Sequence, residues 1–215
     1  MAEHVALGEV VGVDLEPTMI ERAIAIAGER HAEKVRFQVA EILELPFPDN
    51  SFDAVFSSAM LEHLADPVQA LREIFRVLKP EGLIGVASTD WVEPLISPAD
   101  DAVTGFFELI ERGFNHNGGS LNRGRHLRVM LEQAGFKITE FSAAYSNAGT
   151  SERVRTTVEG YVQWIESWPL FDQAVELGWL DRGSLEGIVA GLKQWSQRPD
   201  AFLSTTNCRG VGQKQ

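Results

Sequence analysis

Asp14 is the carboxylate with the clearest chemical context in this sequence. It follows residues 10–13, an apolar and mostly β-branched run that is typical of a strand buried on both faces. A carboxylate at the carboxyl end of such a strand can accept hydrogen bonds from the ribose hydroxyls of a nucleotide-like cofactor. In two-strand nucleotide-binding units this acid comes about 20 residues after a glycine-rich loop. Because only 13 residues precede Asp14, we expect the first strand and its glycine-rich loop to be missing.

The composition favours an ordinary globular protein that handles small ligands. The chain has 215 residues, of which 44% are hydrophobic and 23% charged, so we expect one sizeable domain over residues 1–215. The net charge of −12 would repel nucleic acid and anionic membrane surfaces, which favours a small-molecule partner. No stretch approaches the ~20 apolar residues of a membrane span, so we expect a cytoplasmic location.

Cys208 is the single cysteine of the chain, which excludes an internal disulfide and a multi-cysteine metal site. We expect it to be a small buried residue within a strand, because free cysteine behaves as a small apolar side chain. No metal site is predicted.

Strand-like and helix-like segments alternate through the first 90 residues. Short connections and apolar strands in the order β-α-β-β-α-β predict an α/β fold, with a mostly parallel sheet covered by helices on both faces. Lys79–Pro80–Glu81–Gly82 reads as a turn before a strand over 83–87. Residues 91–200 change to a helical region with late strands, and a last strand is predicted over 201–211.

Two runs of sequence carry a family resemblance. Residues 44–55, Glu-Leu-Pro-Phe-Pro-Asp-Asn-Ser-Phe-Asp-Ala-Val, are followed by residues 70–82, Ala-Leu-Arg-Glu-Ile-Phe-Arg-Val-Leu-Lys-Pro-Glu-Gly. Together they resemble the class I S-adenosylmethionine-dependent methyltransferases of the small-molecule type, most closely over residues 8–88. The resemblance implies a Rossmann-like sheet, an antiparallel final strand and S-adenosylmethionine as cofactor. It also implies a cofactor-binding half over residues 1–90 and a variable acceptor-side region over residues 91–200. The missing first strand would lie centrally, so its two neighbours would have unpaired edges unless they paired directly.

The resemblance also implies a set of cofactor-binding residues. Asp14 matches the acid that binds the ribose, Glu41 stands near the expected position of the adenine amino group, and Ile42 could lie on the adenine face. Small side chains at the end of the next strand would let the cofactor approach the backbone. The full set is Asp14, Leu15, Glu41, Ile42, Ser57 and Ser58. The alternatives are a carboxylate at Asp14 stabilised only by the following helix, a solvated acid at Glu41 and an ordinary turn at the serines.

The catalytic residue is unknown at this stage, and His63 is a weak candidate for a base because histidine titrates near neutral pH. A histidine at this position can equally order the loop. His116 and His126 are weaker candidates still. Trp91 could form a wall of the acceptor site, although packing is an equal alternative.

Two further groups of side chains, one basic and one aromatic, could bind a ligand, but a structural role is the more common one for such residues. The basic residues at positions 123, 125 and 128 could bind an anionic acceptor, but a solvated helix face is the commoner explanation. Aromatic residues of the acceptor-side region are compatible with an apolar ligand, and we favour a core role for them. They are Trp91, Phe106, Phe107, Tyr161 and Trp164.

Three functions remain open from the sequence. The first is methyl transfer from S-adenosylmethionine to a small-molecule acceptor, and the second is a non-catalytic methyltransferase remnant or interaction module. The third is a nicotinamide-dependent enzyme, which Asp14 alone would permit but which residues 46–55 oppose. With the first strand missing, we expect these 215 residues to bind S-adenosylmethionine weakly or not at all. The acceptor and the oligomeric state are left open.

Overall fold

Strands and helices alternate along residues 8–215, which is the part of the chain that the computed structural model describes. The strands are β1 (Val10–Asp14), β2 (Val35–Val39), β3 (Phe52–Ser58), β4 (Leu78–Ser97), β5 (Lys137–Ala148) and β6 (Phe202–Gln213). The helices are α1 (Pro17–Glu29), α2 (Pro67–Val77), α3 (Asp101–His116), α4 (Arg123–Gln133), α5 (Ser151–Ser167), α6 (Pro169–Glu176) and α7 (Arg182–Ser196). A short 3-10 turn, Leu61–His63, follows β3.

The strands form two sheets within the described residues. β1 pairs with β2 in parallel, and a four-stranded sheet has the order β3-β4-β6-β5. β3 is parallel to β4, whereas β6 lies between β4 and β5 and is antiparallel to both. The strands β3, β4 and β5 therefore run in one direction. The predicted α/β class and the antiparallel final strand are confirmed.

β1 and β3 each have a paired neighbour on one side only, within the part of the chain that the structure describes. The two strands do not pair directly with each other. Of the two possibilities given above, direct pairing or unpaired edges, the described residues show unpaired edges. Residues 10–13 are consequently half-buried rather than buried on both faces, and Phe56 of β3 is 56% exposed. The apolar side chains of α1 are also only partly covered, because Ile20 is buried while Ile24 is 54% exposed.

β4 differs from its prediction at both ends. Lys79–Gly82 is not a separate turn but an irregular part of one 20-residue strand, with a register shift opposite Phe52 and Ala54 and a positive φ of 64° at Glu81. The strand also continues past Ala87 to Ser97, so Trp91 lies within it rather than after it. The cause is β6, which is long enough to pair with β4 as far as Ser97.

Two hydrophobic cores lie on different parts of the sheet. The first packs α2 and α4 against β4 and β6, and it includes Cys208, which is 2% exposed as predicted. The second joins α3, α5, α6 and α7. Phe106, Phe107 and Tyr161 are buried in this second core, as predicted, whereas Trp164 is 40% exposed. None of the helices within residues 8–215 is long and apolar enough to cross a membrane.

Lys214 fastens the end of α2 to the end of β6. Its ammonium group donates to the carbonyl oxygens of Phe75 at 2.8 Å and Leu78 at 2.7 Å, and to Oδ1 of Asn50 at 3.0 Å. It also lies 4.8 Å from the ring centroid of Phe75. A cation is well placed here, because the last carbonyls of a helix have no partner within the helix and carry partial negative charge.

Replacing Lys214 by Met should therefore destabilise the fold while keeping most of the apolar stem. Hydrogen bonds to charged groups are worth enough that we expect the free energy of unfolding to fall by about 2 kcal/mol, measured by urea denaturation. Lys193→Met is the matched control, because Lys193 is exposed in the last turn of α7, and its effect should stay within about 0.5 kcal/mol. Equal effects of the two substitutions would contradict this role of Lys214.

Candidate active site

Asp14 and Glu41 follow two neighbouring parallel strands, β1 and β2, at the same edge. Asp14 lies opposite Val39, and its carbonyl oxygen accepts a hydrogen bond of 3.0 Å from the amide of Ala40. Each carboxylate is also held by a backbone amide two residues further on. Glu16 donates to Oδ1 of Asp14 at 2.9 Å, and Leu43 donates to Oε1 of Glu41 at 3.2 Å.

This arrangement leaves one oxygen of each carboxylate available to a ligand. Both side chains are exposed, so neither is committed to the core. Beside them, Leu15 is 56% exposed and Ile42 is half-buried against the first core. The structure thus brings four of the predicted cofactor residues to one edge, with acidic and apolar groups side by side.

Ser57 and Ser58 lie at the carboxyl end of β3, in the other sheet. They are opposite Val86 and Ala87 of β4, with Ser57 half-buried and Ser58 exposed. Strand pairing does not connect them to Asp14 within the described residues. Ala59, the next residue, has a positive φ of 52°, so the chain turns sharply where it leaves β3.

Glu62 is a buried carboxyl group that the sequence analysis did not single out. It is 4% exposed, and its Oε2 accepts a hydrogen bond of 3.1 Å from the hydroxyl of Ser88 in β4. Burial raises the pKa of Glu62 above its ordinary value, because the charged form loses its hydration. Its backbone carbonyl accepts from the amide of Ser120 at 2.8 Å, which ties the 3-10 turn to the start of α4. The available signal was an acid directly after a strand.

His63 packs among aromatic rings. Its ring centroid lies 4.9 Å from that of Phe114 and 6.4 Å from that of Trp168. Burial against these neighbours lowers the pKa of His63, so the neutral imidazole is favoured at pH 7. No hydrogen bond to the imidazole ring occurs within residues 8–215. These contacts fit a residue that orders the loop, and a role as base stays a prediction.

The three arginines of α4 are each engaged by the protein. Arg125 forms a bidentate ion pair with Asp90, with Nε–Oδ2 and Nη2–Oδ1 distances of 2.6 and 2.9 Å. Asp90 is 5% exposed, so Arg125 neutralises a buried charge rather than facing an acceptor. Arg128 pairs with Glu132 at 2.8 Å, and Arg123 donates to a backbone carbonyl. A structural role is thereby favoured over anion binding.

Of the weaker histidine candidates, His116 ends α3 rather than lying in a loop, and its ring packs 5.3 Å from Trp179. His126 is exposed on α4. Within residues 8–215 no group of three or more His, Cys, Asp or Glu side chains is arranged to hold a metal ion.

The α/β layers and the acids at the ends of parallel strands define a Rossmann-like, nucleotide-binding class of protein. Comparison with known proteins agrees. Residues 1–86 match a family described as a methyltransferase domain. Demethylmenaquinone methyltransferase from Lactiplantibacillus plantarum is 32% identical over 165 residues, which cover 68% of this chain and 70% of that protein. O-methyltransferase resE from Aspergillus sclerotiorum is 30% identical over 140 residues, 65% of this chain and 50% of that protein.

A solved structure shares the fold. Phosphoethanolamine N-methyltransferase 2 of Haemonchus contortus, in complex with S-adenosyl-L-methionine, superposes with a TM-score of 0.53 at 21% identity, over 96% of this chain and 43% of that one. The chain belongs to the class I S-adenosylmethionine-dependent methyltransferases. It spans only about half the length of resE.

Breaking the Arg125–Asp90 pair should destabilise the fold markedly. Arg125→Met leaves the buried carboxylate without its counter-charge, and we expect a loss of about 2 kcal/mol in the free energy of unfolding, because Arg125 itself is partly hydrated. Arg128→Met on the same helix is the control, since both partners of the Arg128–Glu132 pair are about half exposed and such pairs contribute under about 1 kcal/mol. Losses of similar size in urea denaturation would contradict the assignment.

Glu62 should give the fold an unusual pH dependence. Since folding raises its pKa, the folded state holds the proton more tightly, and this contribution is lost as pH rises from about 4.5 through the raised pKa. The unfolding free energy of the wild type, minus that of Glu62→Gln, should therefore fall as the pH rises above about 4.5. For Glu186→Gln, on the exposed face of α7, the same difference should stay flat. A flat profile for Glu62 would refute this explanation.

Proposed function

We propose that this chain carries out methyl transfer from S-adenosylmethionine to a small-molecule acceptor. One observation carries the proposal. The carboxylates of Asp14 and Glu41 lie at the carboxyl ends of adjoining parallel strands, each fixed by one backbone amide and each with one oxygen left for a ligand. Ligands of open α/β sheets bind at this edge.

The residues at this edge fit the adenosine part of the cofactor. The second oxygen of Asp14 can accept hydrogen bonds from ribose hydroxyls, and such charge-assisted bonds are about twice as strong as neutral ones. Glu41 can accept from the adenine amino group, and Leu15 and Ile42 offer apolar surface to the base. When bound, S-adenosylmethionine supplies a methyl group on a sulfonium centre. The protein's task is to position the partners and exclude water.

We assign the cofactor-binding half to residues 1–90 and the acceptor side to residues 91–200. The second core supports this division, because it is built from α3, α5, α6 and α7, all of which lie after residue 91. The relatives are named for an O-methyl transfer and for demethylmenaquinone, which supports a small-molecule acceptor. A net charge of −12 disfavours a nucleic acid acceptor.

A non-catalytic remnant or interaction module is the second candidate function. The observation that favours it is the pair of edges on β1 and β3, which have no strand partner within residues 8–215. Unpaired strand edges are surfaces to which another chain can add a strand. In that case Asp14 and Glu41 would have no ligand.

Asp14→Asn separates these functions. The change keeps the oxygen that accepts from Glu16 and removes the charge, so we expect the dissociation constant for S-adenosylmethionine to rise about tenfold. Because we expect weak binding, the measurement is an NMR titration of the isotope-labelled chain to millimolar cofactor. Shifts should centre on the amides of Asp14, Leu15, Glu41 and Ile42.

Asp101→Asn is the matched control, since Asp101 is an exposed aspartate in the first turn of α3. It should leave both the affinity and the shift pattern unchanged. Wild-type affinity in the Asp14→Asn variant would contradict the role of Asp14 in binding the ribose. A wild-type chain that shows no shifts at all would favour the remnant.

A further inference from the structure

A cavity of about 580 Å³ lies between the sheet and α5, on the acceptor side of the chain. Its floor comes from β4, β5 and β6, and its roof is the side of α5 that carries Thr157 and Tyr161. The volume lies in the range of pockets that hold small molecules, about 300–1,000 Å³. Packing alone does not fill this space, so its lining decides what can enter.

The position of the cavity relates it to the end of β3. Ser58, the last residue of β3, pairs with Ala87, and Thr89 of β4 lines the cavity two residues further along. At about 3.3 Å per residue, the cavity begins roughly 7 Å beyond the level of Ser58. Because side chains alternate along a strand, Thr89 and Trp91 face away from the side on which Ser88 contacts Glu62.

Tyr161 is the buried polar group of this cavity. The residue is 6% exposed, its ring stacks on Phe106 with centroids 4.7 Å apart, and it lines the cavity. Its hydroxyl has no hydrogen-bond partner within residues 8–215, and it is not among the fully enclosed atoms of that range. The hydroxyl therefore faces the cavity, where a ligand that accepts its proton gains a hydrogen bond worth about 0.5–1.5 kcal/mol.

The phenol is suited to donate rather than to ionise. Burial raises the pKa of Tyr161, because the phenolate would lose its hydration, so the hydroxyl keeps its proton at neutral pH. The ring stacks on Phe106 and makes an edge contact with Trp91, whose ring centroid is 6.2 Å away. This packing fixes the position of the hydroxyl oxygen, which favours an acceptor atom within hydrogen-bond reach of that point.

The rest of the lining is polar but carries no net charge. Hydroxyl and amide side chains surround the space, and its one acid, Glu152, is balanced by its one base, Arg153, both exposed at the rim. Apolar contact comes from Trp91 and Leu203. Charged ligands would lose hydration here without a buried counter-charge, so the lining favours neutral molecules. The hydroxyl and amide side chains of the lining are Thr89, Ser146, Asn147, Thr156, Thr157, Thr205 and Asn207.

We infer that this cavity binds the methyl acceptor, and that the acceptor is a neutral molecule whose carbonyl or hydroxyl oxygen accepts a hydrogen bond from Tyr161. The inference deepens the proposed function. It rests on that function only in identifying the ligand as the methyl acceptor. The binding itself depends on the cavity alone. Tyr161 is then a residue that positions the substrate and determines its specificity.

The test compares two neutral probes that differ in one oxygen. Acetophenone has a carbonyl group that can accept from Tyr161, and ethylbenzene has no oxygen at all. Tyr161→Phe removes only the hydroxyl, so we expect about fivefold weaker binding of the ketone and unchanged binding of ethylbenzene. Affinities come from NMR titration, followed at the indole signal of Trp91.

Tyr145→Phe is the matched control, because Tyr145 is the other tyrosine of the chain and is 66% exposed on β5. It should change neither affinity. The charged analogues 4-hydroxybenzoate and tyramine should bind the wild type at least about tenfold more weakly than the ketone, because they lose their hydration on entry. A two-dimensional NMR spectrum of each variant checks that it is folded.

Several results would overturn the inference. These are an equal loss for both probes in Tyr161→Phe, no loss for the ketone, tight binding of a charged analogue, or no binding of the ketone at millimolar concentration. The outcome is separable from that of the proposed function, since Asp14→Asn should leave probe binding intact and Tyr161→Phe should leave cofactor shifts intact. If the cofactor does not bind while the probes bind as expected, the cavity is retained as a ligand site and the proposal of methyl transfer is rejected.

Discussion

The pairing of β6 with both β4 and β5 is the constraint on which the rest of this structure depends. β6 comes last in the chain, yet it lies inside the sheet, and its antiparallel ladder to β4 reaches from Gln213 opposite Leu83 to Phe202 opposite Ser97. Without it, β4 and β5 would have no common partner. Both cores use it, since Cys208 belongs to the first and Leu203 to the second. Such long-range pairing must overcome a large loop-closure entropy, which the extended ladder offsets.

β4 divides the chemistry of the molecule between its two faces. On one face the buried Ser88 donates to the buried Glu62, and the buried Asp90 pairs with Arg125, whose guanidinium is partly exposed. On the other face Thr89 and Trp91 open onto the cavity beside α5. The close packing of Gly124 against the strand explains how the polar groups on the first face are sealed, because an added Cβ would lie 3.2 Å from the amide nitrogen of Asp90. Polar groups needed for stability are thereby kept apart from those free to bind.

The sequence predicted the fold well where periodicity and turn chemistry act locally. Local signals in the sequence match what is observed: α2 begins at Pro67 with Asp66 accepting from the amide of Gln69, and α4 ends before Gly135, which has a φ of +101°. The separate turn predicted at Lys79–Gly82 was the clearest error. A Pro-Glu-Gly run indicates a turn locally, whereas its place within β4 and its hydrogen bonds to the chain around Lys214 incorporate it into the sheet. Such tertiary effects leave no periodic signal.

The candidate site shows the same limit. Asp14 and Glu41 were predictable because each follows a recognisable strand, and strand order alone brings the ends of parallel neighbours together. Glu62 and Tyr161 were not, because their importance depends on burial and on which distant residue lies opposite. Tyr161 looked like any core aromatic in a helical stripe. Only its missing hydrogen-bond partner, a property of the folded chain, distinguishes its hydroxyl from the surrounding rings.

The two binding regions also differ in how firmly they are held, and this bears on the order of events. Asp14 and Glu41 are exposed and are fixed mainly by amides two residues away, in a two-stranded sheet that is only half-buried. The ring of Tyr161 stacks on Phe106 of α3, which in turn stacks on Phe171 of α6, and dense packing of this kind limits rotamer change. A ligand at the first region must order its surroundings as it binds, whereas a ligand at the second meets a preformed surface. Preorganisation therefore makes binding at the second region the less costly of the two events.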